Sequence, residues 1–310
     1  LFLIVPRPGA PVVSFETYVP VGSADESRGE TGLAHLFEHL AFQGSDRIGT
    51  RRPDEEARAL AELDRAAAAL ACGADPEARS TYVAALEAAR ALRVEGEYSA
   101  LLEEAGGART LNASTTADET RFVVSLPANR IETWCWLESE RFLNPVLRGF
   151  HEEREAVLEE RRTRLIANPW GRLLTALQVE AFGDGPYGHP ALGFEADVRA
   201  LTREQAAAFH ERWYGADGIV TAIVGDVDVQ RLAPLLTRYF GRIPAGAPRP
   251  EVKVVEAAFE REPAVVRRTH VSFDAPKMLA IAWPVPPIAH EDSVALDLAV
   301  RILGLARTSR

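Results

Sequence analysis

No apolar run in this 310-residue sequence is long enough to cross a bilayer as a helix, so no membrane span is expected. The N-terminus carries no signal-peptide pattern. It opens directly into a strand-like run, Leu1-Phe2-Leu3-Ile4-Val5, so a targeting segment was either removed or never existed. Positive charge is in deficit: 35 Lys and Arg against 45 Asp and Glu leave a net charge of −10. Phosphates would be repelled, which argues against a nucleic-acid partner, whereas cationic peptides are compatible with that charge. Cysteine is nearly absent. Cys72 and Cys135 stand alone without CxxC spacing and read as small buried or free thiols that say little about compartment. What remains, 47% hydrophobic and 26% charged, suits a soluble globular protein of one large or two ordinary domains.

Against that background one stretch stands out, His35-Leu36-Phe37-Glu38-His39. Residues four apart share a helix face, so His35 and His39 can aim their imidazoles at one point, with Glu38 beside it. Leu33, Leu36, Phe37 and Leu40 fill the other faces and make the helix mostly buried. Two neutral imidazoles suit zinc, and a third protein ligand plus water would complete a catalytic tetrahedron. H-x-x-E-H is the inverzincin signature. The other reading is three polar residues hydrogen-bonded in a core, and a third ligand decides between them.

Along the chain, strands are expected over 1–5 and 12–19, separated by Pro6-Arg7-Pro8-Gly9-Ala10-Pro11. A polar loop over 21–32 follows, with Thr31 expected to cap the motif helix. Residues 51–105 are rich in Ala, Glu, Arg and Leu and read as two or three surface helices forming an insertion or lid. Two β-like runs, 110–115 and 120–126, precede an amphipathic helix over 127–142. The helix from Phe150 to about Ala167 is the most acidic stretch. Glu153, Val157 and Glu160 share a face that Val157 turns inward, while Glu152, Glu155 and Glu159 fall among arginines as surface charges. Residues 168–201 read as irregular. A helix over 202–214, a strand over 219–224 and a helix over 229–240 follow, then a linker near 245–250. Beyond it the pattern restarts, with strands near 265–273 and 278–283 and a helix over 292–305, as if a second copy of the first unit began.

With His35, Glu38, His39 and the inward Glu160 in hand, the chain resembles the pitrilysin-type inverzincin metallopeptidases, which include insulin-degrading enzyme and the mitochondrial processing peptidase. The likeness runs through the GLAHLFEHLAFQGS block, Leu111-Asn112-Ala113-Ser114-Thr115, the helix bearing Glu153 and Glu160, and Ala222-Ile223-Val224-Gly225-Asp226. Glu160 lies 121 positions after His39, more than is usual in the family, so the helices of 51–105 look like an insertion similar to that of some bacterial members. Gly185-Pro186-Tyr187 stands where relatives often place a His before Pro-Tyr.

The resemblance implies an α+β fold: a mixed or antiparallel sheet with helices packed on one face, followed by the start of a second homologous half. The catalytic domain would be 1–250. Residues 251–310 would be a linker and the beginning of an inactive second domain, whose usual substrate-binding Arg and Tyr have no counterpart here. It implies one Zn2+ per catalytic domain held by His35, His39 and Glu160, with Glu38 as general base and then acid and Glu153 as the supporting carboxylate that orients an imidazole. Asn112, Ala113, Ser114 and Phe42 would bind substrate, the first two by pairing an extended peptide along an edge strand. The expected partners are a peptide substrate and the second half, in cis or as a paired subunit. The expected activity is that of an endopeptidase or oligopeptidase acting in a closed chamber, with a periplasmic or secreted location ahead of a cytoplasmic one. The alternative is a non-catalytic or regulatory subunit of a paired complex.

Overall fold

In a computed structural model of the chain, residues 1–73, 75–246, 269–283 and 285–305 are described. Five strands form one mixed sheet: β1 (Phe2–Pro6), β2 (Val12–Val19), β3 (Asn112–Thr115), β4 (Thr120–Pro127) and β5 (Val220–Gly225). Their order across the sheet is β1-β5-β2-β4-β3. β1 and β5 run parallel and every other pair is antiparallel. Strict alternation drives this layer. β2 buries Val13, Phe15, Thr17 and Val19 and turns Ser14, Glu16 and Tyr18 to the other face, and β4 buries Thr120, Phe122, Val124 and Leu126.

The helices in the first part of the chain are α1 (Leu33–Leu40), α2 (Pro53–Cys72), α3 (Pro76–Arg90), α4 (Glu97–Leu102), α5 (Ile131–Leu143) and α6 (Phe150–Arg161). Then come α7 (Pro169–Phe182), α8 (Glu195–Ala200), α9 (Arg203–Trp213), α10 (Val229–Phe240) and α11 (Ser293–Val300). The core lies between the sheet and its helices. Phe15 of β2 stacks on Trp134 of α5 with ring centroids 4.1 Å apart, and Trp134 in turn meets Phe240 of α10. The motif helix α1 lies inside this core, with Leu36, Phe37 and Leu40 fully buried.

The expected insertion is a helical hairpin. α2 and α3 build a small core of their own from Leu60, Leu63, Ala66, Ala85 and Ala89. Buried Arg148, just before α6, clamps the hairpin to the body. Its Nε and Nη2 each donate to a Glu56 oxygen at 2.7 Å, and its guanidinium also reaches the carbonyls of Gln43, Ser45 and Ile48. Every donor of the fork is thereby used in a buried site, where an unpaired charge would be costly.

Two expectations are corrected. Residues 168–201 are not irregular: they contain α7 and α8. Asn168 caps α7 by accepting from the backbone N–H of Trp170 and Gly171, and Pro169 occupies the first turn, where no N–H is needed. Residues 278–283 form no strand, and neither do 269–273; residues 265–268 of that first expected strand lie outside the described residues. An alternating run becomes a strand only beside a pairing edge, and no strand of the sheet pairs with it.

His210 of α9 gives a measurable consequence. Its Nε2 donates to the Phe142 carbonyl at 2.9 Å, its ring stacks on Phe37 and Tyr214, and burial pushes its pKa down to about 4. A depressed histidine favours folding fully above its unfolded pKa of 6.5, and the advantage is lost as pH falls toward 4 because only the unfolded chain takes up the proton. Between pH 7 and pH 5 this linkage amounts to about 2 kcal/mol. Denaturant unfolding at those two pH values should show His210→Gln losing about that much less stability than the parent; an identical loss would remove His210 as a source of acid lability.

Candidate metal centre

The site begins with the way α1 is held. Gly32 at its N-cap has φ +92°, and a Cβ there would meet Val198 Cγ2 at 2.7 Å, so glycine is required by both conformation and space. Thr31 is not the cap. Its hydroxyl donates to Asp197 and accepts from the Phe194 N–H. The capping carboxylate is Glu26, which accepts from the N–H groups of Gly32 and Ala34, both at 2.8 Å, and also meets His189 Nε2 at 3.1 Å. A carboxylate against a helix N-terminus satisfies orphan donors and the helix dipole together.

α6 packs on α1. Val157 is fully buried and sets the rotation of α6, which turns Glu153 and Glu160 toward α1. Glu160 Oε2 lies 3.8 Å from His35 Nε2 and 3.6 Å from His39 Nε2. One ligand atom from each of His35, His39 and Glu160 falls within 4.8 Å of the others. Donors bonded to zinc at about 2.0–2.1 Å in a tetrahedron would stand roughly 3.4 Å apart, close to the two separations between Glu160 and the imidazoles. The other Glu160 oxygen is engaged by Arg164 at 2.7 Å, which leaves Oε2 alone for the imidazoles. By contrast Glu159 pairs with Arg162 and Glu152 with Arg90, and Glu155 lies on the outside.

The protonation state of His35 fits metal binding, while that of His39 is set by its carboxylate neighbours. Burial, then the neighbouring His39 and Arg164, push the His35 pKa down to about 3, so its imidazole is neutral with a lone pair to offer. Burial lowers the His39 pKa too, but the hydrogen bond and charge of Glu153, with Glu38 and Glu160, outweigh it and leave it raised. Glu153 Oε2 lies 3.1 Å from His39 Nδ1. A carboxylate accepts, so Nδ1 carries the proton and Nε2 is left as the ligand atom. Glu38 is buried, and burial raises its pKa against the opposing hydrogen bond from Thr115, whose hydroxyl donates to Oε2 at 2.6 Å.

Of the residues expected at the site, His35, Glu38, His39, Glu153 and Glu160 come together. Asn112, Ala113 and Ser114 lie on β3, which is an edge of the sheet and pairs only with β4 among the described strands. Asn112 and Ser114 are exposed and Ala113 packs against the core. Phe42 is not part of the cluster. Its ring packs on Tyr98 and Phe122, with the Arg141 guanidinium 4.9 Å from its centroid. Thr115, Arg164, Gln43 and Glu26 escaped the sequence reading. Only Arg164 left a local signal, four residues after Glu160.

Residues 1–89 match the sequence model of the insulinase family (peptidase family M16), and residues 200–310 match that of the M16 inactive domain. The chain belongs to the pitrilysin-type peptidase family M16, as the resemblance of its motifs implied. The zinc protease PqqE of Helicobacter pylori is 25% identical over 307 residues, covering 96% of this chain and 57% of that protein. An uncharacterized zinc protease of Mycobacterium leprae is 27% identical over 236 residues, covering 76% of this chain and 42% of its own. The crystal structure of a protease from Helicobacter pylori shares the fold, with a TM-score of 0.71 at 21% identity over 99% of this chain and 64% of that one. The chain thus spans about half the length of the curated relatives it matches.

The face assignment on α6 can be tested by metal content. Glu160→Gln should lose stoichiometric zinc with little change in fold, while Glu159→Gln should keep it. Zinc lost by Glu159→Gln and retained by Glu160→Gln would reverse the assignment.

Proposed function

We propose that this chain is the zinc-binding part of a metallopeptidase that hydrolyses peptides or unfolded segments. The observation that carries this reading is the convergence of His35, His39 and Glu160, with Glu160 Oε2 3.8 Å and 3.6 Å from the two Nε2 atoms and buried Glu38 beside them. His35, His39 and Glu160 would hold one zinc ion, whose Lewis acidity polarises the scissile carbonyl and acidifies the attacking water. A structural zinc would more often be enclosed by four protein ligands, whereas here, among the described residues, there are three with the Glu38 carboxylate beside them.

The chain's own groups then have distinct tasks. Glu38 takes the proton of the attacking water and returns it to the leaving amine, a role favoured by a carboxylate whose burial raises its pKa. Thr115 holds one Glu38 oxygen and leaves the other free for the water. Glu153 orients the His39 ring. The open edge of β3 pairs the backbone of an extended peptide, with Asn112 and Ser114 presented alongside. Because Thr115 ends the same strand, substrate and general base are registered against one element.

Glu38→Gln should bind zinc as the parent does and lose on the order of a hundred- to ten-thousand-fold in turnover of a quenched peptide. Near-parental turnover would take Glu38 out of the mechanism. Absence of any hydrolysis by a zinc-loaded parent, also when longer forms are assayed, would favour the non-catalytic subunit.

The division of the chain follows the same reading: residues 1–250 as the catalytic domain, residues 251–310 as a linker and the beginning of a second, inactive one. Beyond the linker, Leu279, Trp283, Ile288 and Val294 are each more than 70% exposed. Further chain, in cis or as a paired subunit, would cover them and close the site against water. The 310-residue chain should therefore bind zinc yet turn over peptide more slowly than a form carrying the rest of the second domain. Equal turnover at equal zinc occupancy would rule out the chamber.

A further inference from the structure

Residues 51–105 carry no metal ligand and no general base, yet one of their side chains is wired to the metal centre. Arg93, just beyond the end of α3, donates from Nη2 to Gln43 Oε1 at 2.8 Å. Gln43 Nε2 donates to Glu153 Oε1 at 2.6 Å, and the other oxygen of Glu153 meets His39 Nδ1 at 3.1 Å. The sequence from the inserted helices to the imidazole is therefore Arg93, Gln43, Glu153, His39, without a gap.

The chemistry of the middle link gives Arg93 its importance. An amide presents an oxygen and an NH2 of nearly the same shape, and only the NH2 is welcome to a carboxylate. A guanidinium has donors only, so by taking Oε1 it forces the NH2 toward Glu153. Glu153 is then gripped by two N–H donors, one per oxygen, which fixes the plane in which it receives His39. Space has been kept for this guanidinium: a Cβ at Gly149 would lie 2.7 Å from Arg93 Nη1. The backbone of Arg93 is pinned as well, by its bridge to Thr50 and by the Val94 N–H to the Gly49 carbonyl at 2.8 Å.

We propose that Arg93 is a positioning residue for the metal centre, acting from the helical insertion through the Gln43 amide and Glu153 on the His39 imidazole. This rests on the reading of His39 as a metal ligand. Supporting partners of ligating histidines govern metal affinity by about ten- to a hundred-fold. Acting one step further out, Arg93 should govern a smaller part of it through Gln43 alone.

The test is the zinc dissociation constant of the 310-residue chain, read by chelator competition and paired with the melting temperature of the zinc-free protein. Gln43→Leu should weaken zinc binding about tenfold, and Arg93→Met by about three- to tenfold. In series the two effects do not add, so the double variant should bind zinc within about twofold of Gln43→Leu. Arg93→Lys, which keeps a donor, should recover most of the affinity. Arg90→Met is the control. It removes an arginine that ties this insertion directly to α6, through Glu152 at 2.8 Å, without touching the Gln43 link, and should leave zinc affinity unchanged. Arg93→Met binding zinc like the parent, full additivity in the double variant, or an equal loss in Arg90→Met would each overturn the proposal. A parent chain that binds no zinc at all would refute the metal-centre reading itself, and this inference with it.

Discussion

Imidazoles and carboxylates on the facing sides of two packed helices cannot be left unpaired, and the site follows from how α1 and α6 meet that demand. Val157 does most of the steering. Fully buried, it sets the rotation of α6, and Glu153 and Glu160, about one turn to either side, are carried toward His39 and His35. Each carboxylate then divides its two oxygens. Glu153 gives one to His39 and one to Gln43, while Glu160 gives one to the two imidazoles and one to Arg164. The division makes Glu160 a single-oxygen donor toward the imidazoles and reserves Glu153 for the protonated side of His39.

What the sequence revealed of this site was its periodic part. Four-residue spacing put His35 and His39 on one face, and the position of Val157 separated the inward glutamates from Glu152, Glu155 and Glu159. Strand alternation likewise marked β2 and β4, and the open edge on which β3 lies was anticipated. What escaped was long-range or local in a non-periodic way. Glu26 caps α1 from eight residues before Ala34, across a turn whose shape no pattern announces, so Thr31, adjacent to the helix, looked the better candidate. Thr115 reaches Glu38 across 77 positions of sequence. In the 168–201 stretch, the later glycines and prolines outweighed the Asn168-Pro169 start signal that α7 uses. The 278–283 run failed for the opposite reason: its alternation was genuine, but a strand is completed by its neighbour.

A second domain-sized question is how the helices of residues 51–105, between the motif helix and β3, leave the site intact. Chain-closure entropy grows only slowly with loop length, so the extra helices cost little if their ends are held together. Here they are: Thr50 bridges Arg93, Val94 bonds Gly49, and Arg148 ties Glu56 to the carbonyls that follow α1. The insertion thus enters and leaves through one fixed gate, beside Gln43. That placement is what allows an arginine at the gate to bear on the partly buried His39.

Two demands in the structure stay open to an outside partner, and their chemistry separates them. The free edge of β3 offers backbone hydrogen bonds, each with a net worth of about 1 kcal/mol because water is the competitor. Leu279, Ile281, Trp283, Ile288 and Val294 offer apolar surface, whose burial is favourable by about 25 cal/mol per Å2. A bound strand held by a few such hydrogen bonds can leave once it is cut, which the proposed reaction requires of a product. Apolar cover accumulates with area and has no comparable release, which suits a permanent neighbour. On the proposed reading the edge beside Glu38 is fitted to substrate and the C-terminal surface to further protein, and exchanging the two assignments would give a site that traps its product beneath a lid that does not stay.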